Sequence, residues 1–299
     1  MPTPLLFDRR LLRARRRRAL ALGPATFLVD RAAEDLAERL SAVLRRFELA
    51  VDLGTPTDAI ARTLARSGAV GTLVRADALA DQVPGHSGLV VAADEEALPF
   101  RAASLDLVVS VLALQFVNDL PGTLAQIRAA LKADGLFLAA LIGGDSLTEL
   151  RQSFAAAEAE LEGGIAPHVA PFADLRDLGA LLQRAGFALP VSDIDRAIVR
   201  YATPFALMED LRRMGATNAL LERRRVPLKR ATLLRMAEIY ATRFADADGR
   251  IRTTFETVWL SGWAPHESQQ KPLAPGSAAR RLADALGTRE FPADDKARP

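Results

Sequence analysis

The chain has 299 residues, a length that suits one large domain or a domain carrying an insertion. Hydrophobic residues make up 49% and charged residues 25%, the balance of an ordinary globular protein, and the net charge is +2. There is no cysteine, which excludes disulfides, cysteine metal sites and thiol catalysis. No apolar run reaches the ~18–20 residues that span a bilayer, and no secretory signal segment is expected.

Residues 1–47 read as a basic helical segment. Seven arginines fall between positions 9 and 18: Arg9, Arg10, Arg13, Arg15, Arg16, Arg17 and Arg18. Three readings stay open for them. They form a solvated helix face, dock on an anionic partner such as a membrane surface, RNA or an acidic protein, or belong to a mitochondrial presequence. Leu36, Leu40, Val43 and Leu44 then give a helical apolar stripe.

Strands and helices alternate from there. The pattern predicts strands at 48–52, 70–76, 88–92, 105–111 and 136–142. Helices are predicted at 59–67 and 120–131, and residues 132–135 read as a turn. Residues 105–111 are apolar enough to lie buried on both faces. This βαβ succession predicts a Rossmann-like, doubly wound α/β fold with a mostly parallel sheet. Further on, Ser146 and Glu149 read as a capping box opening a helix at 146–161. A helix at 174–186 closes on Gly186. Strands are also predicted at 191–201 and 255–263, with Trp259 and Trp263 in the second. Helices at 205–225 and 228–244, split by Pro227, form an insertion between them, at about 204–246. The expected organisation is therefore an N-terminal segment at 1–47, a main domain at 48–265, and a C-terminal extension at 266–299 that is disordered from 285.

Acids stand at the ends of the predicted strands: Asp52 after the first, Asp77 after the second, Asp94 after the third. Ligands of open α/β sheets bind outside the carboxyl ends of the strands, where a carboxylate can accept from ribose hydroxyls or an adenine amine. The turn after the first strand reads Asp52-Leu53-Gly54-Thr55-Pro56-Thr57-Asp58. Pro56 lacks an N–H and fixes φ, so it suits a helix start better than a phosphate or carboxylate cradle. Thr55, Thr57 or Asp58 is expected to cap the following helix.

These segments resemble class I S-adenosylmethionine (SAM) methyltransferases, and the resemblance implies a seven-stranded sheet closed by the strands at 191–201 and 255–263 as an antiparallel pair. The resemblance rests on the Asp52–Gly54 turn, on Asp94-Glu95-Glu96-Ala97-Leu98-Pro99-Phe100 followed by residues 105–110, and on Leu131-Lys132-Ala133-Asp134-Gly135. Further motifs narrow it: Phe7-Asp8-Arg9, Gln115-Phe116-Val117-Asn118-Asp119, Ile142-Gly143-Gly144-Asp145-Ser146, residues 162–172 with His168, residues 207–215, and Gly262-Trp263-Ala264-Pro265-His266. Together these resemble the arginine-hydroxylase family of mitochondrial complex I assembly factors and its bacterial relatives. The malonyl-acyl-carrier-protein methyltransferases share the middle motifs.

The resemblance implies SAM as cofactor and Asp52, Gly54, Thr55, Asp77, Asp94, Glu95 and Ser110 as the residues that would touch it. Pro56 and Asp58 depart from the family's glycines. It implies a protein substrate, a complex I subunit, and no specific nucleic acid. It implies a bacterial cytoplasmic location peripheral to the inner membrane, or a mitochondrial matrix one. Three functions stay open: an arginine-modifying assembly factor, an O-methyltransferase acting on a small carboxylate, and a non-catalytic binding protein. No residue announces itself as a general base. The histidines are His86, His168 and His266. His86 reads as a loop residue. An iron site from His168 and His266 with Asp145, Glu162 or Glu267 has no support in spacing, so no metal ligand is assigned.

Overall fold

A computed structural model of the chain describes residues 5–79, 82, 88–270 and 281–288. The chain divides into two units, Met1–Pro265 and His266–Pro299. The first unit is built on one seven-stranded sheet in the order β3-β2-β1-β4-β5-β7-β6. Strands β1 (Phe47–Leu53), β2 (Val70–Ala76), β3 (Leu89–Val91), β4 (Leu105–Val111) and β5 (Leu131–Ile142) run parallel. Strand β7 (Ile251–Trp263) is antiparallel both to β5 and to β6 (Ala188–Tyr201). The chain reverses its winding between β1 and β4, so the crevice for a ligand opens at their carboxyl ends.

Both faces of the sheet are covered. Helices α2 (Phe27–Ser41) and α3 (Ala59–Ser67) pack on one face through Val29, Leu36, Ile60 and Leu64. On the other, α4 (Leu120–Ala130) and α6 (Leu175–Arg184) bury Leu124, Ile127, Leu178 and Leu182. Strand β4 is buried along its whole length; its two polar residues are satisfied there, Asp106 by Lys132 and the Leu49 N–H, Ser110 by the Leu53 carbonyl. A third apolar cluster joins α5 (Thr148–Leu161), α7 (Pro204–Arg213) and α8 (Arg230–Phe244) around Phe154, Leu207, Tyr240 and Phe255.

Several local expectations are corrected. Ser146 does not cap α5: its Oγ donates to the carbonyls of Gly143 and Glu256 and accepts from Glu256 N–H. Glu149 accepts from the backbone N–H and hydroxyl of Thr254 on β7 instead. The capping box is thus spent on fastening the helix to the sheet. Residues 132–135 continue β5 as an irregular stretch, with Asp134 at φ +61° and a register shift against Leu105/Leu107. The helix expected at 205–225 stops at Arg213, because Gly215 turns the chain at φ +70°. Strand β7 begins at Ile251, four residues before the predicted start. In the second unit a short helix α9 (Leu282–Leu286) reaches the first two residues of the expected tail; the tail from residue 289 lies outside the described residues, as does His86.

The basic segment at 9–18 becomes helix α1 (Arg9–Leu22), capped by Asp8, whose side chain accepts from Leu11 N–H. It is not a free solvated face. Asn118 Oδ1 accepts from the N–H groups of Leu6 and Phe7, and Phe7 packs edge-on against Phe116. Asp8 N–H bonds the Ala219 carbonyl, and Phe7 bridges Leu220. Leu12 and Ala19 are buried on the inner side of the helix. A Cβ on Gly215 would stand 3.0 Å from Arg16 Cα, so this glycine admits the close passage of α1. The chain start is thereby laid across the carboxyl ends of the strands.

Candidate functional site

Four carboxylates mark the crevice. Asp52 sits near the end of β1, Asp77 just past β2, and Asp94 and Glu95 just past β3. Asp52, Asp77 and Glu95 are at most 2% exposed. Burying so many carboxylates costs several kcal/mol each unless cations and N–H donors face them. The structure supplies those cations from the chain itself.

The first is Arg75 on β2, which is 1% exposed. It lies 3.7 Å from Asp52 Oδ2 and 3.4 Å from Asp77 Oδ2, and it donates to the backbone carbonyls of Thr55 and Thr57. It therefore braces the loop after β1 from beneath. The other three come from one face of α1. Arg16 donates to Asp77 Oδ2 at 2.5 Å and to the Gly54 carbonyl at 2.9 Å, and stands 3.5 Å from Glu95 Oε1. Arg9 bonds Asp94 at 2.8 Å and also Glu95; Arg13 bonds Asp94. Positions 9, 13 and 16 have the i, i+4, i+7 spacing that aligns side chains along one helix face. That spacing is in the sequence, yet nothing there says that the stripe turns inward on the strand-end acids rather than outward.

The ionisation of these groups follows from their surroundings. Burial pushes Asp52 up to about 6, against the pull of Arg75 and the Thr55 hydroxyl. Burial also opposes the charge on Asp94, but the Glu96 N–H with Arg9 and Arg13 outweighs it and holds Asp94 below its ordinary value. Burial disfavours the Arg9 cation; Glu95 and Asp94 overcome it and raise Arg9 above its usual range.

The residues expected from the sequence are placed as follows. Gly54 has φ +73°, and a Cβ there would meet Glu95 Oε1 at 2.7 Å; the room its hydrogen leaves is taken by Glu95. Thr55 donates to Asp52 and accepts from Val111 N–H, locking the loop to β4. Ser110 is fully buried and donates to the Leu53 carbonyl, tying β4 to β1. Thr57 Oγ1 accepts from Ala59 N–H at the start of α3, whereas Asp58 pairs with Arg62. Arg16 and Glu95 bring Gly54, Asp77 and Arg9 together, while Asp52, Thr55 and Ser110 serve the loop and sheet beneath them.

These residues do not fit a bound SAM as they stand. The carboxylates that would accept from ribose and adenine are already filled by guanidinium groups, and the open side of Gly54 holds a carboxylate. The acids receive cations here.

Beyond the acids the crevice widens into a cavity of about 400 Å³. Its walls include Leu12 of α1, Leu150 and Phe154 of α5, Met208 of α7, and Phe255 of β7. His168 lines it too, stacked on Phe154 at 4.0 Å and bonded through Nε2 to the buried Glu158 at 2.8 Å. Glu162 instead pairs with Lys229, Arg224 and the Thr232 hydroxyl. His266, in the second unit, bonds Ser268. No group of three His, Asp or Glu residues able to hold a metal ion occurs among the described residues. No helix among them is long and apolar enough to cross a membrane.

Comparison with known proteins agrees with this architecture. A family model for a methyltransferase domain matches residues 51–139. A methyltransferase-like crystal structure from Bacillus halodurans has the same fold, with TM-score 0.54 at 15% identity, covering 78% of this chain and all of that one. The chain is 40% identical over 187 residues to the malonyl-[acyl-carrier protein] O-methyltransferase of Laribacter hongkongensis, covering 62% of this chain and 60% of that one. It is 40% identical over 281 residues to the human mitochondrial arginine-hydroxylase NDUFAF5, covering 91% of this chain and 81% of that one. With its methyltransferase fold, the chain belongs to the family of the arginine-hydroxylase NDUFAF5.

Proposed function

We propose that this chain acts on an arginine side chain of a protein partner, and that the strand-end acids receive the guanidinium. The observation that carries the reading is the filling of Asp77, Asp94 and Glu95 by three guanidinium groups of α1. Carboxylates in a crevice pair bidentately with planar guanidinium donors better than with any other side chain. The relatives named arginine-hydroxylase support the same substrate chemistry. The resemblance to complex I assembly factors supports a complex I subunit as the partner.

SAM is the cofactor that the methyltransferase fold suggests. In this reading it enters only when both the arginine stripe of α1 and the substrate guanidinium are off the acids. The test is deletion of the gene in its own host, followed by mass spectrometry of complex I subunits. Loss of one oxygen from a specific arginine, restored by the wild-type gene but not by a Glu95→Gln allele, supports the reading. An unchanged arginine inventory overturns it.

A second reading, methyl transfer to a small carboxylate, is favoured by the malonyl-[acyl-carrier protein] O-methyltransferase relatives. Formation of S-adenosylhomocysteine with an acyl-carrier substrate would support it over the first.

A further inference from the structure

The far end of the cavity carries charge of the opposite kind. Arg15 and Arg223 line it together, and Glu95, elsewhere on the wall, is paired with Arg9 and Arg16. Arg15 donates to the backbone carbonyl of Asn218, and among the described residues it bonds no carboxylate. Arg223 reaches Asp8 at 3.4 Å. Burial, with the nearby cations Arg223 and Arg18, lowers Arg15 below its ordinary value against the weaker pull of Asp8. Like charges are thus gathered where the counter-charge falls short. Beside them lies an apolar wall of Leu12, Leu150, Phe154, Met208 and Phe255. The volume, about 400 Å³, falls within the ~300–1,000 Å³ of small-molecule sites.

We infer that this end of the cavity is a binding site for an amphipathic anion, with a hydrocarbon body against the apolar wall and a carboxylate or phosphate head on Arg15. The wall supplies the non-directional part of the affinity and the uncompensated guanidinium the directional part. The inference does not depend on the acids at the other end, or on what the chain modifies.

The test is calorimetric titration of the full chain with dodecanoate, dodecyl phosphate and dodecanol, each below the concentration at which it forms micelles. Both anions are expected to bind, with dodecanol roughly tenfold weaker, the worth of one charge-assisted hydrogen bond. Arg15→Gln should lower affinity for the anions about tenfold and leave dodecanol unchanged. Met208→Trp should fill the apolar part and abolish all three. Equal binding of dodecanol and dodecanoate, or anion affinity indifferent to Arg15→Gln, would overturn the anion site. A parallel arm uses vesicles of phosphatidylcholine with phosphatidylglycerol. Sedimentation with vesicles while monomeric dodecanoate fails to bind would overturn the cavity site and assign the basic end to a membrane surface. Because Arg15 bonds one backbone carbonyl, its replacement leaves the fold intact, which a thermal melt verifies.

Discussion

The two ends of the crevice solve opposite electrostatic problems. At the strand-end side, Asp52, Asp77, Asp94 and Glu95 are held by Arg75 and by the Arg9, Arg13 and Arg16 stripe. At the basic side, Arg15 leans on the Asn218 carbonyl beside Arg223. One end is saturated from within and the other is not. Helix α1 contributes to both: successive arginines of the same run face carboxylates at 13 and 16 and a carbonyl at 15. The difference teaches that the run is neither a uniform solvated face nor a uniform docking patch. Stability resides at the acid end, and spare binding capacity at the basic end.

The largest effect should follow from Arg75→Met, which leaves Asp52 and Asp77 buried without their shared cation. A loss of about 3–5 kcal/mol is expected by urea unfolding. A loss under about 1 kcal/mol would break the claim that the acid end is stabilised by buried pairing. Gly54→Ala combines a positive φ with the approach of Glu95 Oε1, and should cost about 1–3 kcal/mol in the same assay.

The pH response sharpens the comparison further. The ordinary value of Asp52 is 3.8 and its folded value about 6, so between the two the folded chain binds more protons than the unfolded one. Stability from this group is complete below the ordinary value and is lost as pH rises through about 6. The stability difference between wild type and Asp52→Asn should therefore shift against wild type across that window; a flat difference would show that Asp52 titrates elsewhere. Smallest of all, Arg15→Gln at the basic end should change stability by no more than about 0.5 kcal/mol, since it removes one carbonyl bond and relieves like-charge crowding.

Much of this fold was legible from the chain alone. The largely apolar stretch at 105–111 and the βα alternation predict the parallel sheet, and the antiparallel closure follows from the resemblance to class I methyltransferases. The acids at 52, 77 and 94 were found because strand ends are where an open sheet binds ligands. What could not be read was which surface of the arginine run turns inward, since a helical stripe of cations looks the same facing water or facing carboxylates. Ser146 and Glu149 misled for a related reason: they match a capping box, but β7, more than a hundred residues away, offered stronger partners. Pro56 and Asp58 depart from the family's glycine loop in the sequence. Pro56 does line the cavity, yet Asp58 pairs with Arg62. Pro56→Gly with Asp58→Gly should therefore raise nucleoside affinity only in a chain whose α1 arginines have been removed.

The most direct test is calorimetric titration with SAM of the wild-type chain and of Arg9→Gln/Arg13→Gln/Arg16→Gln. If α1 fills the acids, the wild type binds weakly or not at all and the triple variant binds at least roughly tenfold tighter, once the internal cations no longer compete. Tight binding by the wild type that the triple substitution weakens would contradict the account, because the arginines would then be holding the cofactor rather than standing in its place.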